Sequence, residues 1–211
     1  MFKLNNPLLV LDLEATAGKD DKGYQTNNYI IDIGSVLLDT DLKVIGEYDH
    51  LVKPGESISD FIHKLTGISN ELVQEEPYFD EISKDWHRWI ESFDINLKKL
   101  RLAAWGNYFD IPLLRRNYQQ YDLKYPFSGT ALDIKSIAFL WLSLSGRRTD
   151  RYDVQSMAQM LNIQVDGTFH RAITDARAET ALLQRFWSDL EGFYLPQGDG
   201  PFTHYNITRN D

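Results

Sequence analysis

The sequence predicts an α/β protein in which helices cover both faces of a mixed sheet. Three strand-like segments follow one another within the first 52 residues, and two shorter ones alternate with helical patterns in the rest of the chain. A long amphipathic pattern near residue 180 adds a last helix. The 211 residues have the length of one domain with at most a tail, so we expect a single core.

The front half provides three strands and then helices. Residues 8–14 form an apolar run that ends in two acids, which predicts a buried strand. Residues 29–39 and 43–52 are strand patterns joined by a tight polar turn. Helical patterns follow at residues 59–65, 69–73 and 78–93.

The back half alternates helices with short strands. Residues 101–105 predict a strand, and a helix then begins near Asp110, where Pro112 is tolerated in the first turn. Residues 131–134 predict the fifth strand. The remaining helical patterns lie at residues 137–142, 154–161 and 172–190. We therefore expect one domain over residues 1–191 and an irregular tail over 192–211, which is rich in Gly, Pro and Asn.

Composition excludes several classes of site. The chain has no cysteine, which rules out disulfides, thiolate zinc sites, iron–sulfur clusters and cysteine nucleophiles. No apolar run approaches the ~18 residues of a membrane span, and the short apolar stretch at 8–13 does not resemble a signal peptide. We expect a cytoplasmic protein that does not bind membranes.

The charge is negative and unevenly distributed. A net charge of −9 argues against nonspecific coating of nucleic acid. Residues 1–97 carry a net −11 and residues 98–211 a net +2. An acidic front half is typical of a solvated surface, and it is also what a cluster of metal-binding carboxylates would give. Composition alone leaves both interpretations open.

Two acidic residues lie at the C-terminal end of the first predicted strand. Asp12 and Glu14 are two residues apart, so both side chains point to the same face, roughly 6–7 Å apart along the strand. The strand is otherwise apolar, and unpaired acids are costly to bury. They either sit at an exposed strand tip or share a hard divalent cation such as Mg²⁺ or Mn²⁺.

Further candidates follow the later elements. Asp110 lies between the fourth strand and a helix, where it is either a helix N-cap or a ligand at a strand end. Asp175 lies in the opening turn of the last helix, with His170 just before it. Three alanines would let that helix approach the sheet closely: Ala172, Ala176 and Ala178.

In chain order, Asp12, Glu14, Asp110, His170 and Asp175 resemble the acidic set of the DEDDh exonucleases, a branch of the ribonuclease-H-like superfamily. The resemblance covers roughly residues 7–190, and is closest to RNA-trimming exonucleases typified by the animal histone-messenger exonuclease and bacterial relatives. Its motifs are D-L-E-A-T at 12–16, I-H-K-L-T-G-I-S at 62–69, W-G-N-Y-F-D at 105–110 and H-R-A-I-T-D-A at 170–176.

The resemblance implies a fold and an activity. The fold would be a ribonuclease-H-like mixed five-stranded sheet, a three-strand antiparallel meander plus two parallel strands, flanked by helices on both faces. The activity would be 3′–5′ hydrolysis at the 3′ end of single-stranded RNA or DNA, with RNA somewhat favoured. Two divalent cations, Mg²⁺ or Mn²⁺, would serve as cofactors, and nucleoside 5′-monophosphates would be the products.

The resemblance also implies residue roles. Asp12 would bridge the two cations, Glu14 and Asp175 would complete the water-activating position, and Asp110 would support the second cation, partly through water. His170 would accept the proton of the attacking water. The residues expected beside the terminal base and sugar are Leu65 and Thr66, together with the backbone around Leu13, Ala15 and Thr16.

Several residues keep two interpretations. Phe109 or Tyr24 could stack on a base, although core packing is favoured for Phe109. Asp32, inside an apolar strand, is more typical of a hydrogen-bonded structural acid than of a site acid. Four arginines are either phosphate contacts or solvated: Arg147, Arg148, Arg151 and Arg171.

The alternative function is a non-catalytic regulator or protein-binding module that retains the exonuclease fold. A degenerate relative would usually have lost an acid or the histidine, and here the set is complete. A homodimer or another protein partner stays open.

Overall fold

A computed structural model of the chain describes residues 4–16, 28–150 and 152–194. Five strands form one sheet in the order β3-β2-β1-β4-β5. They are β1 (Leu8–Ala15), β2 (Ile30–Leu38), β3 (Val44–Leu51), β4 (Arg101–Ala104) and β5 (Leu132–Asp133). The β1–β2 and β2–β3 pairs are antiparallel and the β1–β4 and β4–β5 pairs are parallel, which confirms the predicted meander and parallel strands.

Seven helices accompany the sheet in the described ranges. They are α1 (Asp60–Thr66), α2 (Asn70–Val73), α3 (Phe79–Glu91), α4 (Asp110–Gln120), α5 (Ile134–Leu144), α6 (Val154–Met160) and α7 (Ala172–Tyr194). None of the helices in these ranges combines the length and the hydropathy that a bilayer-spanning segment needs.

The alternation of side chains along β1 assigns each face of the sheet to different helices. Leu9 and Leu11 pack in one core cluster with residues of α3 and α4, such as Trp86 and Leu114. Leu8 and Val10 pack on the other face with residues of α5 and α7. Helices therefore cover both faces, as predicted, and the even-numbered positions of β1 face α7.

A glycine lets α7 approach the sheet at backbone distance. Gly34 is the cross-strand partner of Asp12, and a Cβ built on Gly34 would lie 2.0 Å from the carbonyl carbon of Ala172. Ala172 and Ala176 are fully buried at this contact. The first turn of α7 is thus fixed directly over the acidic end of β1.

Element bounds differ from the predictions where capping decides them. The predicted helix at 137–142 begins three residues earlier, at Ile134, because the Asp133 side chain accepts the Ser136 N–H as an N-cap. The strand before it shortens to Leu132–Asp133. Helix α7 continues to Tyr194, past the predicted end at 190, and residues 195–211 of the predicted tail lie outside the described residues.

We predict that Gly34→Ala destabilises the protein strongly. The added Cβ meets backbone atoms of Ala172, which cannot rotate away, so the loss in the free energy of unfolding should reach about 3 kcal/mol or more. Urea unfolding measures it. Gly192→Ala, which meets nothing within 4 Å, is the control and should change stability by less than about 1 kcal/mol. Similar effects of the two substitutions would contradict the contact.

Candidate active site

The two acids of β1 face α7 and share one side of the strand. Asp12 and Glu14 are partly exposed, whereas the intervening Leu13 and the flanking Leu11 and Ala15 are buried. The strand therefore presents two carboxylates on an otherwise apolar element, at the edge where parallel strands of the sheet end.

Helix α7 brings a third acid to this pair. One carboxylate oxygen from each of Asp12, Glu14 and Asp175 lies within 4.8 Å of the others. The backbone N–H of His170 donates to Oδ2 of Asp175 at 2.7 Å, which fixes the orientation of this carboxylate. The positions of Asp12 and Glu14 follow from strand alternation, and that of Asp175 follows from the close approach of α7 at Gly34.

Asp110 joins the group from the opposite side of β1. It is the first residue of α4 and is buried, and its Oδ1 accepts the backbone N–H of Leu13 at 3.1 Å. The N-cap of α4 is Phe109, so the capping interpretation of Asp110 is wrong. The carboxylate instead holds α4 against the strand, between the two site acids of β1.

Burial raises the pKa of every acid in the group, and repulsion between neighbouring acids adds to the shift of Asp12, Glu14 and Asp110. Burial raises the pKa of Asp12 well above its ordinary value, and the charges of neighbouring acids, with Asp110 first among them, raise it further. Burial, reinforced by Asp175, raises the pKa of Glu14 to about 8. Burial also raises the pKa of Asp110 to about 7, although the N–H of Leu13 opposes the shift. The pKa of Asp175 is raised by burial as well.

A fifth acid, Glu179, belongs to the same group and was not predicted from the sequence. Its side chain is 1% exposed, and the backbone N–H of Trp105 donates to it. Burial and the charges of Asp110 and Asp175 raise its pKa. The four-residue spacing from Asp175 was the available signal, because residues i and i+4 share a helix face.

This donor set fits divalent cations. Carboxylate oxygens are the preferred ligands of Mg²⁺ and Mn²⁺. Arg171, a cationic side chain close to Glu14, lowers its pKa only as a minor contribution and is itself paired with Asp32. The negative charge of Asp12, Glu14 and Asp175 is therefore not balanced by a dedicated cationic partner in the described ranges.

The segment before α7 is held by a buried ion pair. Asp32 of β2 is fully buried, and its Oδ2 accepts Nε of Arg171 at 2.8 Å and the backbone N–H of Ala172 at 3.2 Å. The structural interpretation of Asp32 is thus confirmed, and Arg171 is engaged with the protein. His170 is exposed and has a positive φ of 66°. With Asp175 it lines a cavity of about 550 Å³ that also contacts Trp105 and α6.

The residues expected beside a nucleotide differ in exposure. Leu65 is 41% exposed. The other four, Leu13, Ala15, Thr16 and Thr66, are buried. The Thr16 hydroxyl donates to Glu56 and accepts the Tyr29 N–H, and the Thr66 hydroxyl donates to the Ile62 carbonyl. Among these five, only Leu65 presents its side chain to solvent.

Other candidates are placed as follows. Phe109 is 41% exposed, so its predicted core packing is wrong; as the N-cap residue it lies outside the apolar face of α4. Arg148 pairs with Asp150, and Arg147 lies 5.3 Å from the Trp141 ring centroid. Tyr24 and Arg151 lie outside the described residues.

We predict that the metal-free protein loses stability as the pH rises from about 5 to 8. Folding raises the pKa of Glu14 from 4.5 to about 8, so the folded state binds more protons than the unfolded chain in that window, and stability falls as those protons leave. In EDTA, calorimetry should give a lower Tm at pH 8.5 than at pH 5.5. Glu14→Gln should weaken this dependence, and a Tm that rises across the window would contradict it.

We predict that Arg171→Met costs about 3 kcal/mol of stability, because it leaves the buried Asp32 carboxylate without its charged partner. The double variant with Asp32→Asn should lose clearly less than the sum of the two single variants, because the pair acts as one unit. Urea unfolding of the four proteins measures the coupling, and additive losses would exclude it.

Comparison with known proteins places the chain in a family. The family model RNase_T, described as Exonuclease, matches residues 9–183. The chain is 27% identical over 177 residues to the 3′-5′ exonuclease DinG of Staphylococcus saprophyticus, covering 82% of this chain and 17% of that protein. It is 23% identical over 208 residues to the 3′-5′ exonuclease eri1 of Schizosaccharomyces pombe, covering 86% and 68%.

Solved structures share the fold. The nuclease domain of 3′hExo, a DEDDh family member bound to rAMP, superposes with a TM-score of 0.72 at 22% identity, covering 87% of this chain and 92% of that one. The cell-death related nuclease CRN-4 gives a TM-score of 0.76 at 17% identity, covering 87% and 64%. The chain is also 25% identical over 189 residues, or 89% of its length, to a PolC-type DNA polymerase III from Caldanaerobacter subterraneus. It spans less than a fifth of the length of this polymerase and of DinG. Because the family model covers most of the sequence, this chain belongs to the RNase_T exonuclease family.

Proposed function

We propose that this protein is a metal-dependent 3′–5′ exonuclease. It would hydrolyse phosphodiester bonds at the 3′ end of single-stranded nucleic acid, with RNA somewhat favoured over DNA, and release nucleoside 5′-monophosphates by a two-metal-ion mechanism. The observation that carries the proposal is the convergence of Asp12, Glu14 and Asp175 within 4.8 Å, with Asp110 behind them and His170 alongside.

The acids supply what this reaction needs from the protein. Two divalent cations bound there would polarise the phosphate, activate a water and neutralise charge on the leaving oxygen. Asp12, Glu14 and Asp175 would hold one cation, and Asp12 and Asp110 would hold the other. Because Leu13 N–H orients Asp110 and His170 N–H orients Asp175, these two carboxylates have a fixed direction before the cations enter, which lowers the cost of reorganisation.

We infer that His170 accepts the proton of the attacking water. It lines the same cavity as Asp175, and its exposure leaves it open to substrate. A neutral histidine is an effective general base near physiological pH. The Arg171–Asp32 pair fixes the backbone on the C-terminal side of this histidine.

The surroundings suit the end of a single strand. Phe109, next to Asp110, is exposed and can stack on a base, and Leu65 offers an apolar contact. With a net charge of −9, the chain is suited to gripping a few nucleotides rather than a long backbone. The nuclease domain of 3′hExo, which shares this fold, was solved bound to rAMP, and this supports the expected preference for RNA.

The alternative is a protein-binding module that retains the fold without the chemistry. Such a role would tolerate loss of the acids, whereas this chain keeps all four predicted acids and the histidine, and gathers three of the acids within 4.8 Å. The enzyme is therefore the better supported function.

We predict that Asp12→Asn lowers the exonuclease rate by about 10³-fold, because a ligand shared by both cation positions is lost and each tenfold corresponds to about 1.4 kcal/mol. His170→Asn should lower the rate about 10²-fold while Mn²⁺ binding is kept; asparagine tolerates the positive φ of this residue. The assay follows 5′-labelled RNA and DNA oligonucleotides of equal sequence with Mg²⁺ or Mn²⁺, and identifies the released nucleotides.

Asp150→Asn is the control for this assay, since it removes an exposed carboxylate that pairs with Arg148, and it should retain the full rate. Wild-type protein that is inert on RNA, DNA and dinucleotides would support the binding module instead. Products other than 5′-monophosphates, or faster shortening of DNA than of RNA, would overturn those parts of the proposal.

A further inference from the structure

We propose that Glu179 is a fifth carboxylate of the cation site, a positioning residue on α7 that raises the affinity of the site for divalent cations. This inference rests on the proposed function, because it assumes that the neighbouring acids bind divalent cations. It concerns a residue that is not among the four acids and the histidine on which the resemblance to DEDDh exonucleases depends.

The position of Glu179 follows from the geometry of α7. Glu179 lies one turn beyond Asp175, so both side chains are on the same helix face. That face packs on the sheet, since Ala172 and Ala176 are fully buried against it. Glu179 therefore lies between α7 and the sheet, and only 1% of its surface is exposed.

The hydrogen bonds of Glu179 leave one oxygen unused. The N–H of Trp105, the residue after β4, donates to the carboxylate. The other oxygen, Oε2, is buried and has no hydrogen-bond partner within the described part of the chain. A buried carboxylate oxygen without a partner is costly. A nearby cation, or water held by one, would offset this cost.

The neighbours of Glu179 are the acids of the site. Among the charges that raise the pKa of Asp12, Glu179 comes second, after Asp110 and ahead of Glu14 and Asp175. Burial, then the charges of Asp110 and Asp175, raise the pKa of Glu179 itself.

This arrangement defines the role. Glu179 is outside the set of oxygens that lie within 4.8 Å of one another, so it acts through the field it adds at Asp12 and Asp110, or through a water, rather than as a ligand in that set. An added negative charge in a poorly solvated site attracts a divalent cation strongly. Its bond to Trp105 also fixes the end of β4, the segment that leads to Asp110.

The test replaces the charge and keeps the shape. Glu179→Gln retains an oxygen that can accept the Trp105 N–H. Titration of the metal-stripped full chain with MnCl₂, followed by calorimetry, should show binding weakened about 10-fold, the size of effect found when outer ligands of metal sites are removed. Glu179→Asp, which keeps the charge, should bind Mn²⁺ more tightly than Glu179→Gln. Thr180→Val is the control: it alters the adjacent buried hydroxyl, which also lacks a partner among the described residues, and should leave Mn²⁺ affinity unchanged.

Wild-type affinity in Glu179→Gln, or equal losses in Glu179→Gln and Thr180→Val, would overturn the inference. If Glu179→Gln does not fold, the test is the rise in Tm that Mn²⁺ produces in Glu179→Asp. A rise like that of the wild type supports the role of the charge, and the absence of a rise overturns the inference. Wild-type protein that binds Mn²⁺ but degrades no nucleic acid would refute the proposed function and leave this inference standing. An active wild type with an unaltered Glu179→Gln would refute the inference alone.

Discussion

Repulsion among carboxylates at one end of the sheet is the constraint that organises the rest of this structure. Five acids share a partly buried region, and burial together with neighbouring charge raises the pKa of Asp12, Glu14 and Asp110. The backbone holds the group together against this repulsion. Asp12 and Glu14 are fixed by one strand, and three backbone N–H groups each orient one of the remaining acids: Leu13 for Asp110, His170 for Asp175 and Trp105 for Glu179.

These N–H donors do not neutralise the group, and this distinguishes the site from the ion pairs nearby. Asp32, which is fully buried, is paired through Oδ2 with the guanidinium of Arg171, so its charge has a cationic partner within the protein. The acids of the site, in contrast, are surrounded by backbone N–H dipoles and by one another. The repulsion in such a region is unfavourable and is relieved when protons or cations bind. If cations bind there, the same binding event would both stabilise the fold and prepare the site for chemistry.

Strand alternation and helix periodicity account for what the sequence could predict. The apolar run that ends at Asp12 and Glu14 predicted β1 and the shared face of its acids, and the small residues at the start of α7 predicted its close approach. The predictions failed where exposure depends on tertiary placement. Phe109 is a large apolar side chain of the kind that usually packs in a core. Because it lies at the N-cap of α4, it is instead partly exposed to solvent.

Glu179 shows a different limit of sequence interpretation. A glutamate in the middle of a long helix is typical of a solvated face, and only the packing of α7 on the sheet makes it part of the site. The short strand β5 shows a third limit. Its two residues pair with β4, yet Asp133 is also the N-cap of α5, so one residue serves two elements that periodicity treats separately.

The irregular pairing at the end of β1 and the start of β2 has a consequence for how the protein can diversify. Pairing of β1 with β2 is regular from Leu8–Leu38 to Glu14–Asp32 and then shifts by one residue, so that Ala15 faces Ile30. The shift lies beyond the acids, and seven regular pairs before it set their register. The connection between Thr16 and Asn28 can therefore change in length and sequence during evolution without turning Asp12 or Glu14 to the other face.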